Sequence, residues 1–162
     1  MEMNKFSNNF IAEQTIRALA CKMSEKCDVS KAIEAVFKYI TDNGLDKHDF
    51  NIVNASGYSK LNTVKPRGFV KFLEKVYNDF EIAPEFINSL SIAGVDGTIK
   101  KSIREPELKG RLRAKTGTLT GVRSLAGYYY KNNHVYAFII VANDPNAHKL
   151  LDYEGKILQN IK

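Results

Sequence analysis

The sequence predicts an α/β layered domain: a cluster of helices, then about three antiparallel strands, then a closing helix. Before Gly94, apolar residues recur every three or four positions, the period of a half-buried helix. From Arg111 to Ala142 the chain turns to β-branched and aromatic residues around a short polar turn. From Ala147 the helical period returns. Helices followed by hairpin-linked strands imply a sheet covered by helices.

The elements follow in order. Ser7 precedes the periodic run Phe10, Ile11, Gln14, Ile16, Leu19 and Ala20, so a first helix begins near Asn8 or Asn9. Asp28 or Ser30 can cap a second, whose apolar face is Ile33, Val36, Phe37 and Ile40, and Asn43-Gly44 stops it. Phe50 to Val53 reads as a short strand, with the turn-rich Asn54-Ala55-Ser56-Gly57 after it. Pro66 opens a third helix reaching about Phe80, and Pro84 a short fourth through Leu90. A loop with Gly94 and Gly97 leads through a short helix to the strand Arg111–Thr116. Val122–Tyr130 and His134–Ala142 form a hairpin about Lys131-Asn132-Asn133, Asp144-Pro145 ends it, and Ala147 to Ile161 makes the last amphipathic helix. Tyr128, Tyr129 and Tyr130 fall on alternating faces of their strand.

Composition narrows the function classes. With 44% hydrophobic and 26% charged residues, the 162-residue chain has the balance of a folded domain and the length of one, with no second domain. No apolar run approaches the roughly 20 residues of a membrane span, and the N-terminus lacks the pattern of a secretory signal. The net charge of +6 favours anionic partners, but no nucleic-acid recognition motif accompanies it, so no nucleic acid is expected. Lys100, Lys101, Arg104, Lys109, Arg111, Arg113 and Lys115 concentrate the charge, either as a solvated face or as a cleft for a carboxylate. His48, His134 and His148 are isolated, so neither metal nor cofactor is expected. Cys21 and Cys27 suit a disulfide or two free thiols equally.

Two short motifs remain. Ser7-Asn8-Asn9 has the form Ser-x-Asn at a helix start, and Lys115-Thr116-Gly117 lies on or at the end of a strand. Singly, they read as a helix cap, a solvated lysine and a strand kink. Together and in this order they match two of the three signatures of serine β-lactamases and penicillin-binding proteins. The surrounding sequence extends the match. Met3 to Gln14, Ser56-Gly57-Tyr58-Ser59 with Asn62, Pro66-Arg67, Ile92-Ala93-Gly94-Val95-Asp96-Gly97-Thr98, and Arg113 to Val122 resemble the class C low-molecular-mass penicillin-binding proteins, D-alanyl-D-alanine carboxypeptidase/endopeptidases. The matches run in family order from Met3 to about Ala142. Asn54-Ala55 stands where the family usually has Asp-Gly.

The resemblance implies the C-terminal part of a transpeptidase/β-lactamase-like domain over residues 1–162. The rest of its sheet and its nucleophile helix would lie in the N-terminal part of the same fold. It implies cleavage of peptidoglycan stem peptides through an acyl-enzyme, β-lactam binding, and a periplasmic or cell-surface parent. By the same resemblance Ser7 would relay a proton to the leaving group, Asn9 would hold the substrate amide, and Lys115 would supply charge beside Ser7. Thr116 and Thr118 would bind the peptide's terminal carboxylate, the Thr118 N–H would be one oxyanion donor, and Gly117 would permit close approach. The third signature, Ser-x-x-Lys, is absent: no serine has a lysine three positions on. The chain alone is therefore expected to be inactive, or to be a non-catalytic remnant that holds stem-peptide carboxylates.

Overall fold

The computed structural model describes residues 2–161. Its contacts divide the chain into two compact units: Asn8–Lys75, and the N-terminal segment through Ser7 together with everything from Val76 onward. The helical unit begins with α2 (Asn9–Met23), which follows a one-turn helix, α1 (Glu2–Lys5), belonging to the other unit. Asn8 rather than Ser7 caps α2, its side chain accepting from the Ile11 N–H at 3.0 Å. That frees the Ser7 hydroxyl from the capping role. Asp28 caps α3 (Val29–Asp42) by accepting from the Ser30 N–H. The two helices meet at Ile16, Ala20 and Ala32, where two fully buried alanines allow close approach. A disulfide joins Cys21 to Cys27 across their connection.

The strand expected at Phe50–Val53 is shorter. β1 (Phe50–Asn51) pairs antiparallel with β2 (Thr63–Val64), and then Asn62 takes over, its Oδ1 accepting from the Val53 N–H at 2.7 Å. A side chain here does the work of a ladder. Glu13 pins the following turn by accepting from the Ser56 N–H at 2.9 Å, and hydrogen bonding from Ser56 holds its carboxyl below the usual range. α4 (Pro66–Tyr77) starts at its proline, as the sequence implies.

In the other unit, α5 (Ala83–Ser89) leads into β3 (Ser91–Ile92), which pairs with β4 (Leu112–Leu119). β4 continues to β5 (Val122–Lys131) and β6 (His134–Asn143), all antiparallel and in the order β3-β4-β5-β6. Asn132 and Asn133 both take positive φ, 51° and 63°, the two-residue turn that suits strand twist. One sheet face packs Leu112, Ala114, Leu125, Tyr129 and Phe138 against Ile99, Leu108 and Leu158. The other seats Tyr128 against Tyr77 and Phe86, with ring centroids 5.6 and 6.5 Å away. Alternation explains why adjacent tyrosines are both buried: each has its own covered face.

The closing helix departs from expectation. Ala147–Asp152 winds as a 3₁₀ segment and α6 (Glu154–Gln159) begins afresh after Tyr153. The cause is polar: Glu154 is fully buried against Arg123, and the Glu105 carboxylate lies over Gly155. These contacts fix the phase of α6 independently of the segment before it. Among the described residues no helix is long and apolar enough to cross a membrane.

Candidate active site

Ser7 lies between α1 and α2 with φ at 56°, a left-handed backbone that costs a non-glycine residue on the order of 1 kcal/mol. Lys115, on β4 and 108 positions away, donates from Nζ to Ser7 Oγ at 2.5 Å and to the Thr116 carbonyl at 3.0 Å. The lysine is half-buried, and burial lowers its pKa from the ordinary value. Ser7 and Lys115 belong to the same unit, whereas Asn9, exposed at the first position of α2, belongs to the other.

β4 presents a free edge beside this pair. Its register with β3 ends at Ser91↔Ala114, and among the described residues no strand pairs with that side beyond it. The Leu112 carbonyl accepts from the Ala93 N–H on the same side. Backbone groups alternate along a strand, so the N–H and C=O of Thr116 and Thr118 point to that edge as well. The Thr118 N–H therefore faces the open edge of β4.

The two threonine hydroxyls are oriented differently. Ser91 Oγ donates to the Lys5 carbonyl at 2.9 Å, so at its 3.3 Å contact with Thr98 Oγ1 it must accept. Thr98 Oγ1 then accepts from Thr116 Oγ1 at 3.1 Å, which commits the Thr116 proton inward. Thr118 Oγ1 instead accepts from Arg123 Nη1 at 3.0 Å, and among the described residues nothing accepts its own proton. Arg123 is held in turn by Glu154, Nε to Oε1 at 2.7 Å and Nη2 to Oε2 at 2.9 Å, with Glu154 fully buried. Gly117 makes room across the ladder: a Cβ there would stand 2.4 Å from Ser124 Oγ.

Several residues around the pair escaped sequence reasoning. Ser91 gave no signal of its own, while Lys5, Asp96 and Thr98 stood out only as parts of a resemblance. Arg123 and Glu154 lie 31 positions apart, a separation with no periodicity to find. Among the described residues no group of His, Cys, Asp and Glu is disposed to hold a metal ion.

The chain is 32% identical over 130 residues to the D-alanyl-D-alanine carboxypeptidase DacB of Haemophilus influenzae, covering 78% of this chain and 27% of that protein. It is 28% identical over 148 residues to the penicillin-sensitive carboxypeptidase A of Dictyostelium discoideum, covering 86% of this chain and 28% of that one. Its structure superposes on penicillin-binding protein 4 of H. influenzae, solved with a β-lactam, with a TM-score of 0.80 and 25% identity over 99% of this chain and 40% of the other. A predatory endopeptidase of Bdellovibrio bacteriovorus, solved with an immunity protein, shares the fold at a TM-score of 0.72, with 97% and 41% of the two chains covered. The chain thus spans little more than a quarter of the length of these curated relatives. The family model for D-Ala-D-Ala carboxypeptidase 3 (S13) matches residues 1–159, and with the class C penicillin-binding resemblance of its motifs this establishes that the chain belongs to the S13 carboxypeptidase family.

Proposed function

We propose that these residues form the proton-relay and carboxylate-binding side of a serine-type D-Ala-D-Ala carboxypeptidase/endopeptidase site acting on peptidoglycan stem peptides. The single observation that carries this reading is the Lys115 Nζ to Ser7 Oγ hydrogen bond of 2.5 Å. Acyl transfer forms a C–O bond to a serine and breaks the C–N bond to the terminal D-alanine, whose nitrogen must leave with a proton. Ser7 passes its proton to that nitrogen and is replenished by Lys115. Burial eases this step, because an ammonium with a lowered pKa gives up its proton more readily. The outward Thr118 N–H serves as one oxyanion donor. The free Thr118 proton and the Lys115 charge hold the terminal carboxylate, with Thr116 assisting once it turns from Thr98. Asn9 holds the substrate amide.

The nucleophile and its lysine come from residues outside these 162, in the N-terminal part of the same fold, and both units described here belong to that one domain. The disulfide of Cys21 and Cys27 supports a location outside the cytoplasm. Incubated with labelled penicillin, the 162-residue chain is expected to remain unlabelled by mass spectrometry. A covalent adduct on any of its serines would overturn the assignment of the nucleophile.

The absence of Ser-x-x-Lys favours a second reading, a remnant that holds stem-peptide carboxylates without turnover. Weak, Lys115-dependent binding of an acyl-D-Ala-D-Ala peptide by the chain, with no parent activity requiring it, would select this reading.

A further inference from the structure

We infer that Lys5 and Asp96 form a latch that positions Ser7 against Lys115. This rests on the proposed roles of Ser7 and Lys115, but its geometry is separate from them. Lys5 is a buried lysine two residues before Ser7, gripped at both ends. Its ammonium pairs with Asp96 Oδ2, and Asp96 Oδ1 accepts from the Ile92 N–H at 2.9 Å. Its carbonyl accepts from Ser91 Oγ at 2.9 Å and from the Thr98 N–H at 3.0 Å. Three groups, the Asp96 carboxylate, the Ser91 hydroxyl and the Thr98 N–H, therefore converge on one residue of the N-terminal segment. Gly97 makes the closure possible: a Cβ there would stand 2.7 Å from the Lys5 carbonyl and 2.2 Å from Ser91 Oγ.

The consequence follows from chain length. Only Phe6 separates the gripped residue from Ser7, and Phe6 is itself exposed and contributes little anchorage. Ser7 also occupies a left-handed backbone that it would not choose unaided. Such a conformation persists only where its surroundings over-determine it. On the Asn8 side the chain enters the helical unit, so within its own unit the Ser7 main chain is held through Lys5 and its hydroxyl by Lys115. Lys5 and Asp96 are thus positioning residues that act on the reaction through Ser7. A salt bridge with one partner almost wholly buried suits the task, because its directional bonds specify one arrangement better than apolar packing would.

A reporter thiol at position 7 tests the latch without any catalysis. Cys21 and Cys27 are paired, so Ser7→Cys introduces the one free thiol in the chain. An ammonium at hydrogen-bond distance lowers a thiol's pKa from about 8.5, which raises its alkylation rate by iodoacetamide near neutral pH. Ser7→Cys is expected to react about tenfold faster at pH 7 than Ser7→Cys/Lys115→Met, one pKa unit being a factor of ten. Adding Asp96→Asn to Ser7→Cys should remove most of that advantage. The sign is decisive: loss of a nearby anion acting only through space would lower the thiol's pKa and speed alkylation, whereas release of the latch slows it.

Equal or faster alkylation in a folded Asp96→Asn background overturns the proposal. Should Asp96→Asn lose its cooperative melt, Ser91→Ala carries the test: it is uncharged, mild, and removes a bond to the Lys5 carbonyl. A rate within twofold of the parent there overturns the proposal equally. No difference between Ser7→Cys and Ser7→Cys/Lys115→Met would instead sink the Ser7–Lys115 pairing, and with it the proposed function rather than the latch alone.

Discussion

In the proposed site Lys115 combines two tasks that pull on its pKa in opposite directions. Binding a carboxylate needs the ammonium, while relaying a proton is helped by an amine that gives one up readily. Burial settles the compromise by lowering the pKa from the ordinary value. The sign for stability follows. The unfolded chain holds the Lys115 proton more tightly than the folded one, so this residue's contribution to stability rises with pH between the lowered value and the ordinary one. For ligand binding the order is reversed. Affinity for an acyl-D-Ala-D-Ala peptide should fall as pH rises, with its midpoint below 10.5, as Lys115 deprotonates. Lys115→Met should weaken binding about ten- to a hundredfold at pH 7, the value of a charged hydrogen bond, and flatten the pH dependence. Calorimetric titration across pH checks both. A falling limb that persists in the methionine variant would assign it to another group. The sequence named this lysine through its motif, but not its burial, which depends on how Ser7 and the β4 edge close around it.

At the scale of elements, the contact between β5 and α6 links stability to the site. The side chains of Arg123 and Glu154 are 11% and 0% exposed, and the third Arg123 nitrogen, Nη1, reaches Thr118. Removing one partner strands a buried charge, so Arg123→Met or Glu154→Leu should each cost about 3–5 kcal/mol in urea unfolding. The double variant Arg123→Met/Glu154→Leu should recover most of that loss, because well-packed apolar residues replace buried ion pairs cheaply. It should still bind the peptide more weakly than the parent, since Thr118 loses the donor that orients its hydroxyl. Equal affinity in parent and double variant would remove Arg123 from the site. The same contact shows where sequence reading failed. The strands β4 to β6 were legible because β-branched and aromatic residues flank an Asn-Asn turn, and α2 to α4 because caps and prolines mark their ends. The break at Tyr153 was not, because it is set by a glutamate turned inward toward an arginine that no local pattern links to it. β3 and α1 were missed for a simpler reason: two and four residues are too short to show a period.

Over the whole molecule, β6 is the terminal strand of its sheet among the described residues. The alternation that turns Thr116 and Thr118 to the β4 edge, carried through both registers, turns the backbone groups of Val135, Ala137, Ile139 and Val141 to the outer edge of β6. Val135 and Val141 are also 38% and 40% exposed. An apolar strand with a row of outward N–H and C=O groups is a template for another strand. In the proposed parent that strand comes from the N-terminal part of the same fold. In the 162-residue chain by itself nothing described covers the edge, so the chain should associate through β6 at micromolar concentration. Ala137→Pro removes one outward N–H without touching the β5 ladder, and Val141→Lys places a charge on the strand; both should shift the chain toward monomer in sedimentation velocity with little change in far-UV dichroism. Supplying the N-terminal part in trans should suppress association in the same way and should restore penicillin labelling, on the added part alone. A chain that stays monomeric throughout, and gains no labelled partner, would mean that β6 ends the sheet and that the acyl-transfer site is not completed across it.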